Sequence, residues 1–366
     1  MDTMGLGLSR HTGSLVAAIV ILVGCGGSQP PIGAPGGMPH GTALRQTQAS
    51  DERIRDPRGV DSLRRHLPKY VYVFNQVQGG SNPASDIDIY PGGIIGNISP
   101  RVVIGGSQTQ LTQAGGIVVD SSGEIYVAVI DTDEIVGFPP GSSGNAAPNI
   151  VISGSQTALS RPTGLAVDSS DNLYVANCAS GCGVGSQPSA LLEFSAGSNG
   201  NVAPIRDISG YDTGLTEAND PAIASDGSIY VSNQSNTICV FSSDANGDVK
   251  PIRELDGSYT LLNTPDGIAV NKTALWAGSF DADYLERFKP NANGNVSPAA
   301  VISGRRTKLG NPDGVSVDGE GNIYSSNPGD KRIVEFEARA NGNVHPIGSI
   351  VGSKTQLVAP VWVFVR

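Results

Sequence analysis

One short phrase returns six times along the chain, and its spacing restricts the fold more than any other feature. The phrase is Gly-Asn-x-x-Pro, with Asp in place of Asn in the fourth copy. The copies begin at Gly96, Gly144, Gly200, Gly247, Gly294 and Gly342. Successive glycines are 48, 56, 47, 47 and 48 residues apart. This period is typical of a small four-stranded sheet and is too long for leucine-rich or ankyrin units.

Each repeat can be divided into four strands by its alternating apolar residues and its turn residues. In the fifth repeat, for example, the strands cover residues 267–270, 274–277, 284–288 and 299–302. Acidic turns such as Asp120-Ser121-Ser122-Gly123 join the first two strands as hairpins, and their spacing lacks the oxygen ligands of a calcium loop. The sequence therefore predicts an all-β fold, a six-bladed β-propeller of four-stranded blades.

The two ends of the repeat region predict how the ring closes. Residues 70–75 match the second strand of a blade but have no first strand before them, whereas residues 360–366 match a first strand with nothing after it. We therefore expect the C-terminal strand to complete the first blade. Closure of this kind pairs strand edges that would otherwise be open to aggregation.

The first residues have the pattern of an export signal. An apolar run from Leu15 to Val23 precedes Cys25 and is too short to span a bilayer as a stable helix. The run Leu22-Val23-Gly24-Cys25 resembles the lipobox of bacterial lipoproteins. The resemblance implies a signal peptide at 1–24, lipidation of Cys25, and anchoring to the outer membrane or cell surface. An ordinary cleaved signal with an incidental cysteine is the alternative.

Two further segments separate this signal from the repeats. Residues 25–45 are mostly Gly, Pro and Ser, a composition typical of a flexible tether. Residues 46–69 mix basic and acidic side chains, which suits either a strap against the propeller or a solvated linker. The propeller itself is predicted to cover 70–366.

Net charge restricts the partners. The chain has 34 acidic and 24 basic residues, a formal net charge of −10. Binding to nucleic acid through phosphates needs clustered Lys and Arg, so we expect no nucleic-acid partner. We expect a monomer that contacts the membrane through its lipid and binds an envelope protein or a small ligand.

The three cysteines after Cys25 have different surroundings. Cys178 and Cys182 lie four residues apart among small residues, and an exported protein permits a disulfide between them. A zinc site is disfavoured because no second pair or nearby His completes the ligands. Cys239, between apolar residues, is predicted to be a buried core residue.

A family resemblance rests on the third repeat. The segments PTGLAVD at 162–168 and NLYVAN at 172–177 resemble an NHL-type repeat, and the resemblance extends over nearly all of 70–366. Such propellers often bind proteins or ligands, which implies a binding or scaffold module. Similar blades occur in lactonases of the senescence-marker/gluconolactonase family, in streptogramin lyases and in peptide-amidating lyases.

Candidate binding residues come from one face of the predicted ring. Loops that lead into first strands and loops that join second to third strands should meet around the channel mouth, where ligands are expected. They place the following polar residues there: Asp220, Asp266, Asp313, Asn177, Asn233 and Asn327. The structural alternative is that the Asp residues cap turns and the Asn residues cap loops.

The alternative function is a metal-dependent lactonase or esterase. Pro265-Asp266-Gly267 and Pro312-Asp313-Gly314 resemble the segment whose Asp binds the catalytic metal in gluconolactonase-type propellers. The resemblance implies that Asp266 and Asp313 hold a divalent cation such as calcium, although the binding-module prediction needs no cofactor. The acid that this family needs in its first strand is missing from 361–365, and no His is predicted in the rim, which disfavours lyase chemistry. Carbohydrate binding is a third possibility, although the rim shows few exposed aromatic residues.

A second motif, Gly-x-x-Thr-x-Leu, also occurs once per blade. Its Thr residues are Thr109, Thr157, Thr213, Thr260, Thr307 and Thr355. Since every blade has one, we interpret the motif as architecture. We expect each Thr to bind loop backbone groups and each Leu to pack between adjacent blades.

Overall fold

The chain forms six four-stranded antiparallel sheets, as the sequence predicts. A computed structural model describes residues 70–76, 85–93, 96–178 and 189–366. Predictions for the signal peptide, Cys25, the tether and 46–69 lie outside these residues. In the described part, no helix is long and apolar enough to cross a membrane. The chain is a six-bladed β-propeller.

The strands follow the predicted division closely. In chain order they are β1 (Tyr70–Asn75), β2 (Asp86–Pro91), β3 (Val102–Gly105), β4 (Ala114–Val119), β5 (Ile125–Val129), β6 (Glu134–Phe138), β7 (Ile150–Ile152), β8 (Pro162–Val167), β9 (Leu173–Asn177), β10 (Ala190–Phe194), β11 (Arg206–Ser209), β12 (Ala218–Ile223), β13 (Ile229–Asn233), β14 (Thr237–Phe241), β15 (Arg253–Leu255), β16 (Pro265–Val270), β17 (Leu275–Ser279), β18 (Tyr284–Phe288), β19 (Ala300–Ser303), β20 (Val315–Val317), β21 (Ile323–Asn327), β22 (Arg332–Phe336), β23 (Gly348–Ile350) and β24 (Pro360–Val365). Short 3-10 helices cover Tyr211–Thr213, Phe280–Ala282 and Pro328–Asp330.

The C-terminal strand closes the ring, which confirms the predicted closure. Blade 1 has the strand order β24-β1-β2-β3, and blades 2 to 6 follow with four consecutive strands each. Val73 of β1 lies opposite Val363 of β24, and the amide of Tyr70 donates a hydrogen bond to the carbonyl oxygen of Arg366 at 2.9 Å. Trp362 of β24 is buried in a core that also contains Phe74.

The first strand of each blade is innermost, and neighbouring first strands contact each other. A Cβ atom added to Gly115 would lie 2.0 Å from the carbonyl oxygen of Thr163, and one added to Gly267 would lie 2.4 Å from that of Asp313. Only glycine permits such a close approach of two backbones. The Gly-rich first strands therefore let the blades pack tightly around the axis.

The two repeated motifs bind each other between blades. Asn145 of blade 2 accepts a hydrogen bond at its Oδ1 from the amide of Gln108, in the Gly-x-x-Thr-x-Leu turn of blade 1, at 2.7 Å. The same bond recurs at the other five boundaries, with acceptors Asn201, Asp248, Asn295, Asn343 and Asn97. We call each such contact a junction. The Gly-Asn-x-x-Pro phrase is therefore more than a turn, because it fastens its blade to the preceding one.

Within each junction the second motif plays the predicted role. Thr109 Oγ1 donates to the carbonyl oxygen of Gly106 at 2.8 Å and accepts a hydrogen bond from the amide of Leu111 at 3.3 Å. Leu111 belongs to one core cluster with Phe74 of blade 1 and Val127 of blade 2. The side chain of the motif Leu thus packs between two blades at this boundary.

Acidic residues close the predicted hairpins between first and second strands. Asp120 Oδ1 accepts hydrogen bonds from the amides of Ser122 and Glu124, each at 2.9 Å. Asp318 makes equivalent bonds in blade 6. These contacts confirm a turn role, in which a carboxylate satisfies the backbone donors of a tight loop.

The structure describes two of the three cysteines that follow Cys25. Cys178 is disulfide-bonded, whereas its predicted partner Cys182 lies outside the described residues. Cys239 is a free thiol and is fully buried, as predicted for a core residue. Burial raises the pKa of its thiol to about 12, so it remains protonated at neutral pH.

Candidate functional site

Three predicted site residues form a carboxyl cluster at the axis of the ring. Asp220 lies in β12, Asp266 lies in β16, and Asp313 lies two residues before β20. Asp220 and Asp266 are 4% and 7% exposed, and Asp313 is partly buried. The sequence predicts these residues in loops at an open rim, so the structure places the first two deeper than expected. We call this group the central carboxyl cluster.

Hydrogen bonds hold two of these carboxyl groups in place. Asp266 Oδ1 accepts bonds from Asn219 Nδ2 at 2.7 Å and from Gln234 Nε2 at 3.0 Å. Asp220 Oδ2 accepts a bond from the amide of Ile268 at 2.8 Å. The cluster thereby connects the first strands of blades 4 and 5.

Burial also controls the ionisation of the cluster. It raises the pKa of Asp266 to about 7, an effect that the charge of Asp281 reinforces and the hydrogen bond from Gln234 opposes. The pKa of Asp313 is raised well above its ordinary value by burial and by the charges of Asp266 and Asp220. Burial likewise raises the pKa of Asp220. Each group disfavours a second negative charge nearby, so the cluster tends to retain protons.

The cluster does not have the donor set of a metal centre. Among the described residues, no group of three or more His, Cys, Asp or Glu side chains is arranged to hold a metal ion. At Asp266, Oδ1 already faces two amide donors, which compete with a cation. Calcium generally requires six to eight oxygen ligands, and carboxyl groups that retain protons are weak ligands.

The three candidate Asn residues lie at the ends of second strands and bind the protein itself. Asn177 Oδ1 accepts a hydrogen bond from the amide of Ser160 at 2.7 Å, and its Nδ2 donates to the carbonyl oxygen of Ala158. Asn327 uses both ends of its amide in the same way. Asn233 donates to Thr237 Oγ1, while its buried Oδ1 has no partner. All three are at most 4% exposed, which favours the structural alternative of loop capping.

A cleft of about 580 Å³ lies between blades 5 and 6. It opens where second strands join third strands and where one blade leads into the next, which we call the upper face. Its charged lining residues are Asp283, Asp330, Arg305 and Lys308. This cleft is on the predicted face, but it lies away from the central carboxyl cluster, whose residues do not line it.

A second cleft, of about 390 Å³, lies between blades 1 and 2 on the opposite face, which we call the lower face. Its walls include Tyr70, Tyr72, Arg101 and Arg366. The volumes of both clefts fall within the range of small-molecule sites. Sequence reasoning missed this second cleft, although the aromatic start of β1 was a visible signal.

Comparison with known proteins supports the fold. No protein-family model matches the chain. No curated protein matches it either. A protein of unknown function from Bacteroides caccae aligns with a TM-score of 0.55 and 11% identity over 82% of this chain and 99% of its own. A chain from a nidogen/laminin complex aligns with a TM-score of 0.55 and 12% identity over 81% of this chain and 98% of its own. This chain shares their fold.

A third solved structure is less similar. The virginiamycin B lyase of Staphylococcus aureus aligns with a TM-score of 0.48 and 13% identity, over 74% of this chain and 83% of the lyase. Identities this low concern the fold alone. What the propeller does must therefore be argued from its own side chains.

Proposed function

We propose that the protein is a lipid-anchored binding module of the bacterial cell envelope, and that its blades belong to the NHL type. One observation carries the proposal: two clefts of ligand size open at blade boundaries, whereas the candidate polar residues around the axis are buried and mostly bound to the protein. A rigid ring with side-chain variation in a few clefts is a common architecture for binding.

The anchor in this proposal rests on Cys25 and the apolar run before it. Acyl chains add about 0.8 kcal/mol of membrane affinity for each buried methylene, so a lipidated protein should stay with the membrane. Mass spectrometry of the N-terminal peptide from an expressing bacterium should show a lipid-modified Cys25. Recovery of an unmodified Cys25, or unchanged membrane association of Cys25→Ser, would contradict the anchor.

Binding can be tested by photo-crosslinking of the full chain in the envelope. A photoreactive residue at Lys308 would lie in the blade 5–6 cleft, and the matched control would replace Lys250, which lies outside both clefts. The proposal predicts a discrete crosslinked species at position 308 that is absent at position 250. The same diffuse labelling at both positions would argue against a specific partner at this cleft.

A hydrolase of small lactones or esters is the second candidate. The observation in its favour is the central carboxyl cluster, because a carboxyl group with a pKa of about 7 suits proton transfer at neutral pH. A screen of lactone and ester substrates should then detect turnover that Asp266→Asn abolishes. Turnover that survives this substitution would assign the activity elsewhere.

A further inference from the structure

The blade 1–2 cleft differs in charge from the rest of the molecule. Its lining includes two guanidinium groups, Arg101 and Arg366, and none of the described side chains that line it is acidic. The whole chain, by contrast, has a net charge of −10. The charged side chains that line this cleft are therefore positive, which favours an anionic ligand at this position.

One acid of the next blade lies near this wall of the cleft, and its charge interacts with that of Arg366. Asp171, from the β8–β9 hairpin, accepts hydrogen bonds from the amide and hydroxyl of Ser121. Arg366 donates to the carbonyl oxygen of Ser121 at 3.0 Å. A guanidinium group has five N–H donors, so this contact leaves donors to bind a carboxylate.

The other wall of the cleft is aromatic and apolar. The rings of Tyr70 and Tyr72 meet edge to face with centroids 6.2 Å apart, and the guanidinium of Arg101 lies 5.9 Å from the centroid of Tyr70. Ile89 and Val102 continue the apolar surface. An aromatic surface beside charged groups suits a ligand with both an apolar ring face and a negative charge.

The rim of the same cleft presents hydroxyl groups. Ser121, Ser122 and Ser142 all line it. Ser122 Oγ bonds to Asp120, and Ser142 Oγ bonds to the carbonyl oxygen of Pro139, each as a donor. Their oxygen lone pairs can still accept hydrogen bonds from ligand hydroxyls. A purely aromatic acid would leave these acceptors unused, whereas a sugar would use them.

We propose that the blade 1–2 cleft binds an acidic sugar, with the uronate carboxylate at Arg101 and Arg366 and a sugar ring against Tyr70. This proposal names a ligand class for the proposed binding module and therefore rests on that function. It moves the site from the upper face, where the sequence predicted it, to the lower face.

Calorimetric titration of the full chain in detergent micelles with trigalacturonic acid tests this assignment. The neutral control is galactotriose, which lacks the carboxylates. We expect saturable binding of the acid, with galactotriose at least about tenfold weaker, since charge-assisted hydrogen bonds are the stronger ones. Arg101→Gln should weaken binding by about tenfold. The control Arg339→Gln, at an exposed position outside both clefts, should have no effect.

Two other results of this titration would contradict the proposal. Equal affinity for the acidic and neutral sugars would exclude a role for the arginines in binding. An equal loss in Arg339→Gln would show that the effect of Arg101→Gln is not specific to this cleft. Tyr70→Leu, which retains apolar volume but loses the ring, should also weaken binding. If Tyr70→Leu does not fold, Arg101→Gln still tests the proposal. Arg101 is exposed, so this substitution is expected to leave the fold intact.

Two experiments together distinguish an error in the acidic-sugar site from an error in the proposed binding function. If trigalacturonic acid does not bind but position 308 crosslinks to a discrete species, the acidic-sugar site is wrong and the binding module stands. If neither is observed, both are wrong.

Discussion

The blade junctions repeat one contact, whereas the residues at the axis of the ring differ from blade to blade. All six junctions use the same contact, an Asn or Asp side chain that accepts a hydrogen bond from the preceding blade. At the axis, by contrast, blade 2 has Gly115-Gly116, blade 5 has Asp266-Gly267, and blade 1 has Val361-Trp362. The repeated residues therefore make the contacts that assemble the ring. The residues that differ between blades are the ones expected to give this protein its specific properties.

The same comparison explains the clefts. The six junctions present nearly equivalent surfaces. A ligand that bound one of them would be expected to bind the others as well. The blade 1–2 cleft combines the start of β1, the turn before β3 and Arg366, a set of residues that no other described blade boundary has. Specific binding is expected at such a combination and not at a repeated position.

Removal of residues 360–366 should have the largest effect, because it breaks the ring itself. The deletion removes β24, exposes the edge of β1 and takes Trp362 from the core. We expect loss of cooperative unfolding, measured by circular dichroism during heating. Val361→Thr, a conservative change at a half-buried position, is the control and should remain folded. A cooperative transition in the truncated chain would show that the junctions hold an open ring.

Titration of the axis should have the next largest effect. The folded-state pKa of Asp266 is raised to about 7, so the folded chain binds a proton that the unfolded chain releases near pH 4. The resulting stability is complete below the unfolded pKa and is lost as pH rises toward about 7. The free energy of unfolding should fall by ~1.4 kcal/mol for each unit by which the pKa is raised.

Urea unfolding at a series of pH values measures this effect. Asp266→Asn should make the decline between about pH 4 and 7 shallower, since Asp220 and Asp313 still contribute to it. Asp207→Asn, at an exposed position, is the control. A rise in stability over the same range would contradict the account of a buried cluster that retains protons.

Loss of one junction should have a smaller effect. Asn295 Oδ1 accepts a hydrogen bond from the amide of Tyr259 at 2.6 Å, so Asn295→Ala should cost about 1 kcal/mol, or roughly 2 °C in Tm. Asn295→Asp should retain most of this stability, because Asp248 makes the same contact at another junction. Differential scanning calorimetry would detect both. Equal losses for Ala and Asp would show that the acceptor oxygen is not what matters.

The smallest expected effect concerns backbone strain inside the junction turn. Leu261 has a φ of 64°, a left-handed conformation that costs a branched residue about 1 kcal/mol, and Gly214 occupies the equivalent position of the preceding turn. Leu261→Gly should therefore be more stable than Leu261→Ala, since alanine keeps the strain. Identical melting temperatures would indicate that the turn relaxes.

Much of the fold could be predicted because it repeats. Six copies of one phrase, four of whose five spacings are 47 or 48 residues, predicted the number of blades. The unpaired sequences at 70–75 and 360–366 predicted the closure. The two motifs were also visible, but not their contact, because nothing in a linear pattern indicates that Asn145 and Gln108 meet.

The site was harder to predict for physical reasons. The register shift between Pro265 and Ile268 places Asp266 inside β16, whereas the apolar pattern suggests a loop residue. The predicted closure already brings Tyr70 close to Arg366, but the sequence does not show that Arg101 and Ser121 line the same cleft. Asn177 and Asn327 were correctly placed at strand ends, but only the structure shows that both ends of each amide are used.

Our central claim is that repeated residues assemble the ring and that non-repeated residues bind the ligand. The most direct test is the shift in Tm when trigalacturonic acid is added to two variants. A ligand stabilises the folded state that binds it, so the shift reports affinity separately from baseline stability. Asn295→Ala should melt lower than the natural chain and keep the full shift. Arg101→Gln should keep the baseline Tm and lose most of the shift. A shift that disappears in Asn295→Ala, or persists in Arg101→Gln, would contradict the account.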